Sequence, residues 1–253
     1  LRIIAWNLNH RTREKRIPAE VGHFLESYSP DVVTLNEYVD GPSRESFYRE
    51  LRDLGYSHIE LSEPTAGNNQ ILACSKKPMV RGSLPSPKYD SAAFSNFLHV
   101  SLPESELDIV GIRAPAYNSR IKKEAYWREI AEIAAESKAK RMILLGDLNY
   151  DPFVGIARSV PKVGFSFHSD YYIPNPVGDW SFISTNGQRS SRIDHAIASE
   201  SLEIAEAEYI AEWNSIVLAG PSDKAPVTDH AVLSIRLERM GTNLDRRTLL
   251  QNI

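Results

Sequence analysis

The sequence predicts a mixed α/β domain in which antiparallel strands predominate. Three observations carry that expectation. Short apolar runs stop abruptly at polar residues, as Met142-Ile143-Leu144-Leu145 stops at Gly146-Asp147, the signature of strands covered on both faces. Residues 119–137 repeat Ile121, Ala125, Ile130, Ile133 and Ala134 at helical spacing just before that run. Between Tyr56 and Leu102 the segments are short, β-prone and broken by Gly, Pro, Asn and Ser, which suggests antiparallel pairs.

With 253 residues and 42% hydrophobic content the chain can bury a substantial core. No repeat, low-complexity tract or linker divides it, so one domain over 1–253 is expected, with 238–253 a polar, peripheral tail. No window approaches 18 consecutive apolar residues, so no membrane span is expected. The chain starts at Leu1 inside a strand-like run. No leader is legible, and upstream residues are left open. The single cysteine, Cys74, lies in Ile71-Leu72-Ala73-Cys74 and reads as an inert core thiol in a reducing, cytoplasmic setting.

Taken in order, Arg2-Ile3-Ile4-Ala5-Trp6 reads as a strand ending at Asn7. A basic loop, Arg11-Thr12-Arg13-Glu14-Lys15-Arg16, separates it from a helix over 18–28, with Val21, Phe24 and Leu25 on one face. Asp31-Val32-Val33-Thr34-Leu35 is the next strand, running out at Asn36-Glu37. A second helix over 43–54 has Ser43 as its cap and Gly55 as its stop. Strands are expected at 57–61, 70–75, 80–84 and 93–102, then at 107–112 with Arg113 at its end. After Asn149 come a helical or irregular piece over 152–160 and a Pro/Gly/aromatic region to Gly178. Strands follow at 180–184, 192–198, 204–211 and 231–237.

The polar residues collect at strand ends. Asn7, Glu37, Arg113, Asp147 and Asn149 each end or follow an apolar strand, and Thr228-Asp229-His230 stands before another. Side chains i and i+2 of an extended backbone point the same way, so Asp147 and Asn149 should face one cleft. Gly146-Asp147-Leu148-Asn149 is equally ordinary turn chemistry. Asp194 lies within an apolar strand and needs a partner if buried.

Five pieces in order carry a resemblance: Trp6-Asn7, Leu35-Asn36-Glu37, Gly146-Asp147-Leu148-Asn149, Arg192-Ile193-Asp194-His195 and Thr228-Asp229-His230. Together the chain resembles the endonuclease/exonuclease/phosphatase superfamily of metal-dependent hydrolases with the deoxyribonuclease-I-like fold. The resemblance implies a four-layer α-β-β-α sandwich of two mixed, largely antiparallel sheets. It implies Glu37 as main metal carboxylate, with Asn7 and Asp229 completing or orienting the metal's surroundings. Asp147 would position and deprotonate the attacking water, Asn149 would bond a phosphate oxygen, and His230, oriented by Asp194, would sit on the scissile phosphate.

Elementary chemistry agrees with that division. Mg²⁺, for which Mn²⁺ can substitute, takes oxygen ligands, keeps several waters and needs only one or two carboxylates. Zinc would want histidine or cysteine. With carboxylates around it, His230 should be held in its charged form by Asp194. The sequence departs from the superfamily at Gly111-Ile112-Arg113-Ala114-Pro115, where many relatives carry tyrosine or histidine. Arg113 is expected to fork onto the phosphate, the alternative being an arginine paired structurally with an acid.

Trp180-Ser181-Phe182 falls where relatives line the substrate cleft, and core packing is an equal reading. His10, His23, His58, His99 and His168 read as surface or satisfied interior groups, and His195 as packing. The expected activity is hydrolysis of nucleic-acid phosphodiesters by in-line water attack. Its support is the basic loop and a cluster at Arg189 and Arg192, against a net charge of -4 that gives no global attraction. The alternatives are hydrolysis of a small-molecule or lipid headgroup phosphate, and a binding module that has lost catalysis. A monomer is expected.

Overall fold

The computed structural model describes residues 1–10, 13–65, 69–137, 141–153 and 170–238. The expected piece at 152–160 beyond Phe153, His168 and the tail beyond Glu238 lie outside the described residues.

In chain order the first elements are β1 (Arg2–Asn7), α1 (Ala19–Tyr28), β2 (Val32–Tyr38), α2 (Glu45–Asp53), β3 (His58–Leu61), β4 (Gln70–Ser75) and β5 (Val80–Arg81). Next come α3 (Ser91–Ser95), β6 (Phe97–Leu102), β7 (Leu107–Arg113), α4 (Arg120–Glu136) and β8 (Met142–Asp147). The last third holds β9 (Tyr171–Tyr172), β10 (Phe182–Ile183), β11 (Ser190–Ser191), β12 (Asp194–Ser199) and β13 (Ile204–Ile210). It ends with β14 (Glu212–Trp213), β15 (Ile216–Val217) and β16 (Val232–Leu237).

Two six-stranded mixed sheets dominate, ordered β13-β16-β1-β2-β4-β3 and β5-β6-β7-β8-β12-β9. Read in that order, the two share one pattern of pairing: antiparallel throughout except for a central parallel pair, β1/β2 and β7/β8. Parallel neighbours need a long crossover, which α1 supplies in the first sheet and α4 in the second. Both parallel pairs deliver their carboxyl ends to the site: Asn7 with Asn36, and Arg113 with Asp147.

The sheets pack face to face through one apolar layer. Ile3, Ala5, Val32 and Ile71 of the first meet Val100, Ile109, Ile143 and Ala196 of the second. A Cβ on Gly111 of β7 would lie 2.9 Å from Ile71 and 3.5 Å from Thr34, so a side chain there would wedge the sheets apart. On the outer face of the first sheet, α1 packs Val21, Phe24 and Leu25 and α2 packs Phe47 and Leu51. On the outer face of the second, α4 buries Tyr126, Trp127, Ile130, Ile133 and Ala134. Each large apolar side chain so buried contributes roughly 1.5–3 kcal/mol. The result is the expected α-β-β-α layering.

Several expectations are corrected. The strand expected over 93–102 begins as helix α3, because the Asp90 side chain accepts from Ala93 N at 2.8 Å and caps it. Ile121 is 76% exposed, so the buried stripe of α4 runs through Tyr126 and Trp127 instead. Ser43 does not cap α2: it lies in a 3₁₀ turn, and its hydroxyl donates to Arg13 O. The strand expected over 80–84 is only two residues long, and the short β14/β15 hairpin and β9 carried no signal long enough to read.

Candidate active site

The site begins with a backbone irregularity. β2 is buried along its length, and its pairing with β4 shifts between Leu35 and Tyr38. Glu37 sits inside that shift at φ +52°, a conformation non-glycine residues rarely adopt. Such a bulge re-aims a side chain, and here it turns a buried carboxylate (1% exposed) toward the strand ends. Its neighbour Asn36 reaches across to the other sheet and donates to Ile112 O at 2.8 Å.

Asp147 closes β8, with Arg113 opposite on β7 and Asp194 opposite on β12. The three charged residues form one row across the second sheet. Asp147 and Asn149 do not meet by strand alternation. Asn149 has φ +48° and its N–H donates to Asp147 Oδ1 at 2.9 Å, so a turn, not an extended backbone, brings them together. The turn and the functional arrangement are the same object. Asn149 Nδ2 also donates to Ala114 O at 2.7 Å and to Asp147 Oδ2 at 3.3 Å. Gly146 makes the approach possible: at φ +141° a Cβ there would stand 2.1 Å from Ile112 O.

His230 Nδ1 faces Asp194 Oδ2 at 2.9 Å, both buried. Backbone anchors fix both residues. Trp6 Nε1 donates to His230 O at 2.9 Å, and the Ser181 hydroxyl accepts from the N–H groups of Ile193 and Asp194 at 2.9 and 3.0 Å. Phe182 packs on the His230 ring, centroids 5.0 Å apart, so packing against the site, not the core, is its role here.

Charge follows from this burial. Burial raises the Asp147 carboxyl, the nearby Asp194 charge raises it further, and together they bring it to about 6. For His230 burial alone would lower the imidazole, but Asp194, by charge and hydrogen bond, overcomes it and raises it to about 9.

Arg113 takes the geometry of the paired alternative. Its Nη2 lies 2.6 Å from Glu37 Oε1, and its Nε lies 3.7 Å from Asp147 Oδ2. Asn7 Nδ2 donates to Asp147 Oδ2 at 3.1 Å. Asp229 joins through a residue that sequence reasoning missed: Asn9 donates its backbone N–H to Asn7 Oδ1 at 3.0 Å and its Nδ2 to Asp229 Oδ1 at 3.2 Å. All eight expected residues, Asn7, Glu37, Arg113, Asp147, Asn149, Asp194, Asp229 and His230, thus stand in one constellation. Asn9 was legible in Asn7-Leu8-Asn9 as a second amide two residues on. Ser181 had no signal beyond its aromatic neighbours.

The donor set suits a hard divalent cation. Four carboxylates, Glu37, Asp147, Asp194 and Asp229, face two cations, Arg113 and His230, leaving a net of two negative charges when all are ionised. Among the described residues no group of three or more His, Cys, Asp or Glu side chains stands ready to hold an ion alone. Carboxylate and amide oxygens of this kind are what a hard divalent ion takes, one or two carboxylates together with its own waters.

Other expectations fare unevenly. His99 is an interior group whose Nδ1 accepts from Leu84 N at 3.0 Å, while its Nε2 stands 3.2 Å from Asp108 Oδ2 without hydrogen-bond geometry. His195 packs away from the site, bonded to Arg192 O at 2.7 Å. His10 is neither surface nor satisfied: it is 1% exposed, with no partner for either ring nitrogen among the described residues. Arg13, Lys15 and Arg16 are exposed on the loop that follows Asn9. Arg192 is not free to meet a substrate, being bonded to Asn175 and Pro176 O and packed between Phe153 and Tyr209.

Comparison with known proteins agrees with the fold. The profile of the Endonuclease/Exonuclease/phosphatase family matches residues 4–230. Among solved structures, the chain is similar to an AP endonuclease from Archaeoglobus fulgidus, with TM-score 0.70 and 15% identity, covering 94% of this chain and 100% of that one. It is similar to a 3'-5' exonuclease (NExo) from Neisseria meningitidis, with TM-score 0.68 and 17% identity over 94% and 100% of the two chains. Truncated TDP2 from Caenorhabditis elegans gives TM-score 0.67 and 15% identity over 94% and 97%. At such identities these likenesses establish the fold. No curated protein matches the chain. The chain belongs to the endonuclease/exonuclease/phosphatase family of phosphoester hydrolases.

Proposed function

We propose that the protein is a Mg²⁺-dependent phosphodiesterase acting on nucleic acid, by in-line attack of water on phosphorus. The observation that carries the reading is the buried Asp194–His230 pair beside Asp147, an anion and a cation held a fixed distance apart. Glu37 and Asp229, with Asn7 supporting, would hold the metal, and a bound Mg²⁺ would neutralise charge on the phosphoryl and leaving oxygens. Asp147, its carboxyl near neutrality, is matched to take a proton from the attacking water. His230, charged and aligned by Asp194, offers its other ring nitrogen to the phosphoryl oxygen where negative charge develops. Asn149 would donate to the same group by turning one amide N–H away from Asp147 Oδ2, the longer of its two contacts at 3.3 Å. Arg113, paired with Glu37 and facing Asp147, would act on the phosphate through its charge.

Nucleic acid is supported by the exposed Arg13, Lys15 and Arg16 on the loop that follows Asn9. It is supported too by nuclease relatives of the same fold. The site draws on one chain from β1 to His230, which supports a single catalytic domain working as a monomer. The buried free thiol of Cys74 supports a reducing, cytoplasmic setting. Among the described residues no helix is long and apolar enough to cross a membrane.

A second reading, a phosphatase or a phosphodiesterase on a small or lipid headgroup phosphate, is favoured by one observation: Arg192 is held in packing, which leaves only the exposed Arg189 of the second basic cluster. A similar structure, a 3' phosphatase bound to product DNA hairpin, supports monoester hydrolysis on this fold with DNA as the product. The test is one panel under identical Mg²⁺: a plasmid, a short oligonucleotide, a phospholipid headgroup diester and several phosphomonoesters. Preference for the plasmid or oligonucleotide is expected, and preference for the others overturns the nucleic-acid reading.

A further inference from the structure

We propose that Arg113 is a built-in cation standing where a second metal ion would otherwise sit, so that the site takes a single divalent ion. The inference rests on the metal-dependent reading above and deepens it. The guanidinium lies between the carboxylate proposed to bind metal and the carboxylate proposed to activate water, at 2.6 Å from Glu37 Oε1 and 3.7 Å from Asp147 Oδ2. A cation bridging two such acids is what a second ion would supply. Its position is fixed by the fold: Arg113 ends β7 directly opposite Asp147 on β8, and its backbone N–H donates to Asn96 O at 3.0 Å. The side chain is only 15% exposed, and that of Glu37 only 1%.

Charge points the same way. The four carboxylates less the two protein cations leave two negative charges, which one divalent ion cancels. A second ion bridging Glu37 and Asp147 would have to take the very place that the guanidinium holds, where repulsion is poorly screened. An arginine never gives up its proton, so this cation is permanent. A neutral side chain at the same place would leave three negative charges and room for another ion.

The experiment is a Mn²⁺ titration of the metal-free full chain, counting bound ions by loss of the free-ion electron paramagnetic resonance signal. Glu37→Gln sets the baseline for ions held elsewhere. Wild type and Arg113→Lys, which retains the charge, are expected to bind one ion above that baseline. Arg113→Met, similar in length and uncharged, is expected to bind two. Circular dichroism of each variant checks that it is folded. Two ions in wild type, or a folded Arg113→Met that still binds only one, overturns the inference and leaves the metal-dependent reading intact. Failure of wild type to bind any ion overturns both.

Discussion

His230 Nδ1 and Asp194 Oδ2 meet at 2.9 Å in a buried pair, although 36 residues separate them in the chain. The pair is what holds the imidazole charged against its own burial. In the metal-free protein the His230 ring should therefore titrate near 9, and Asp194→Asn should lower it, with Asp147 and Asp229 still opposing burial. Imidazole NMR shifts against pH measure both. An unchanged titration in Asp194→Asn would show that the aspartate does not supply the charge. Turnover in that variant should fall by about 10²–10⁴-fold, the usual worth of a positioned acid or base.

Asp147 makes an opposite kind of prediction, about stability. Its carboxyl rises from 3.8 to about 6 on folding, so the fold favours the protonated form. That contribution is fully present below the unfolded value and is lost as pH rises through about 6, some 3 kcal/mol for a shift of about two units. The metal-free Asp147→Asn variant should thus gain on wild type between pH 4 and pH 8. Urea denaturation at the two pH values tests this, and a difference that stays constant with pH contradicts it.

Gly146→Ala should unfold or severely destabilise the protein, by about 3 kcal/mol or more. The added Cβ would meet the backbone oxygen of Ile112, which no rotamer change relieves, at a φ that alanine rarely adopts. Thermal unfolding of Gly146→Ala beside wild type is the check. A near-normal Tm would mean that the close approach of β7 and β8 is not as tight as described.

The basic loop makes a prediction about substrate length. Replacing Lys15 and Arg16 by alanine should weaken binding of a long oligonucleotide and lower its salt dependence by about one counterion per removed phosphate contact. A short diester should be turned over as before. If long and short substrates suffer equally, the loop supports the fold rather than the substrate.

The sequence revealed the strand ends better than the geometry between them. Met142-Ile143-Leu144-Leu145 and Arg2-Ile3-Ile4-Ala5-Trp6 are apolar enough to mark buried strands, and the polar residue stopping each is the site itself. What brings Asp147 to Asn149 was misread because alternation assumes an extended chain, whereas Asn149 turns left-handed. The bulge at Glu37 left no mark, since a shift in pairing depends on the partner strand β4. Arg113 could be placed at a strand end but not given a partner, because Glu37 comes from the other sheet. Arg192 looked like a free basic residue until Phe153 and Tyr209 closed around it. Contacts between segments distant in sequence decided each of these cases.

The central claim is that one water-activating carboxylate and one phosphate-facing imidazole carry metal-dependent hydrolysis. Turnover of a generic phosphodiester, with and without Mg²⁺, by wild type, Asp147→Ala and His230→Ala tests it most directly. The account predicts Mg²⁺-dependent turnover in wild type and a loss of about 10²-fold or more in each variant. Equal rates in all three proteins, or a wild type indifferent to Mg²⁺, would contradict it.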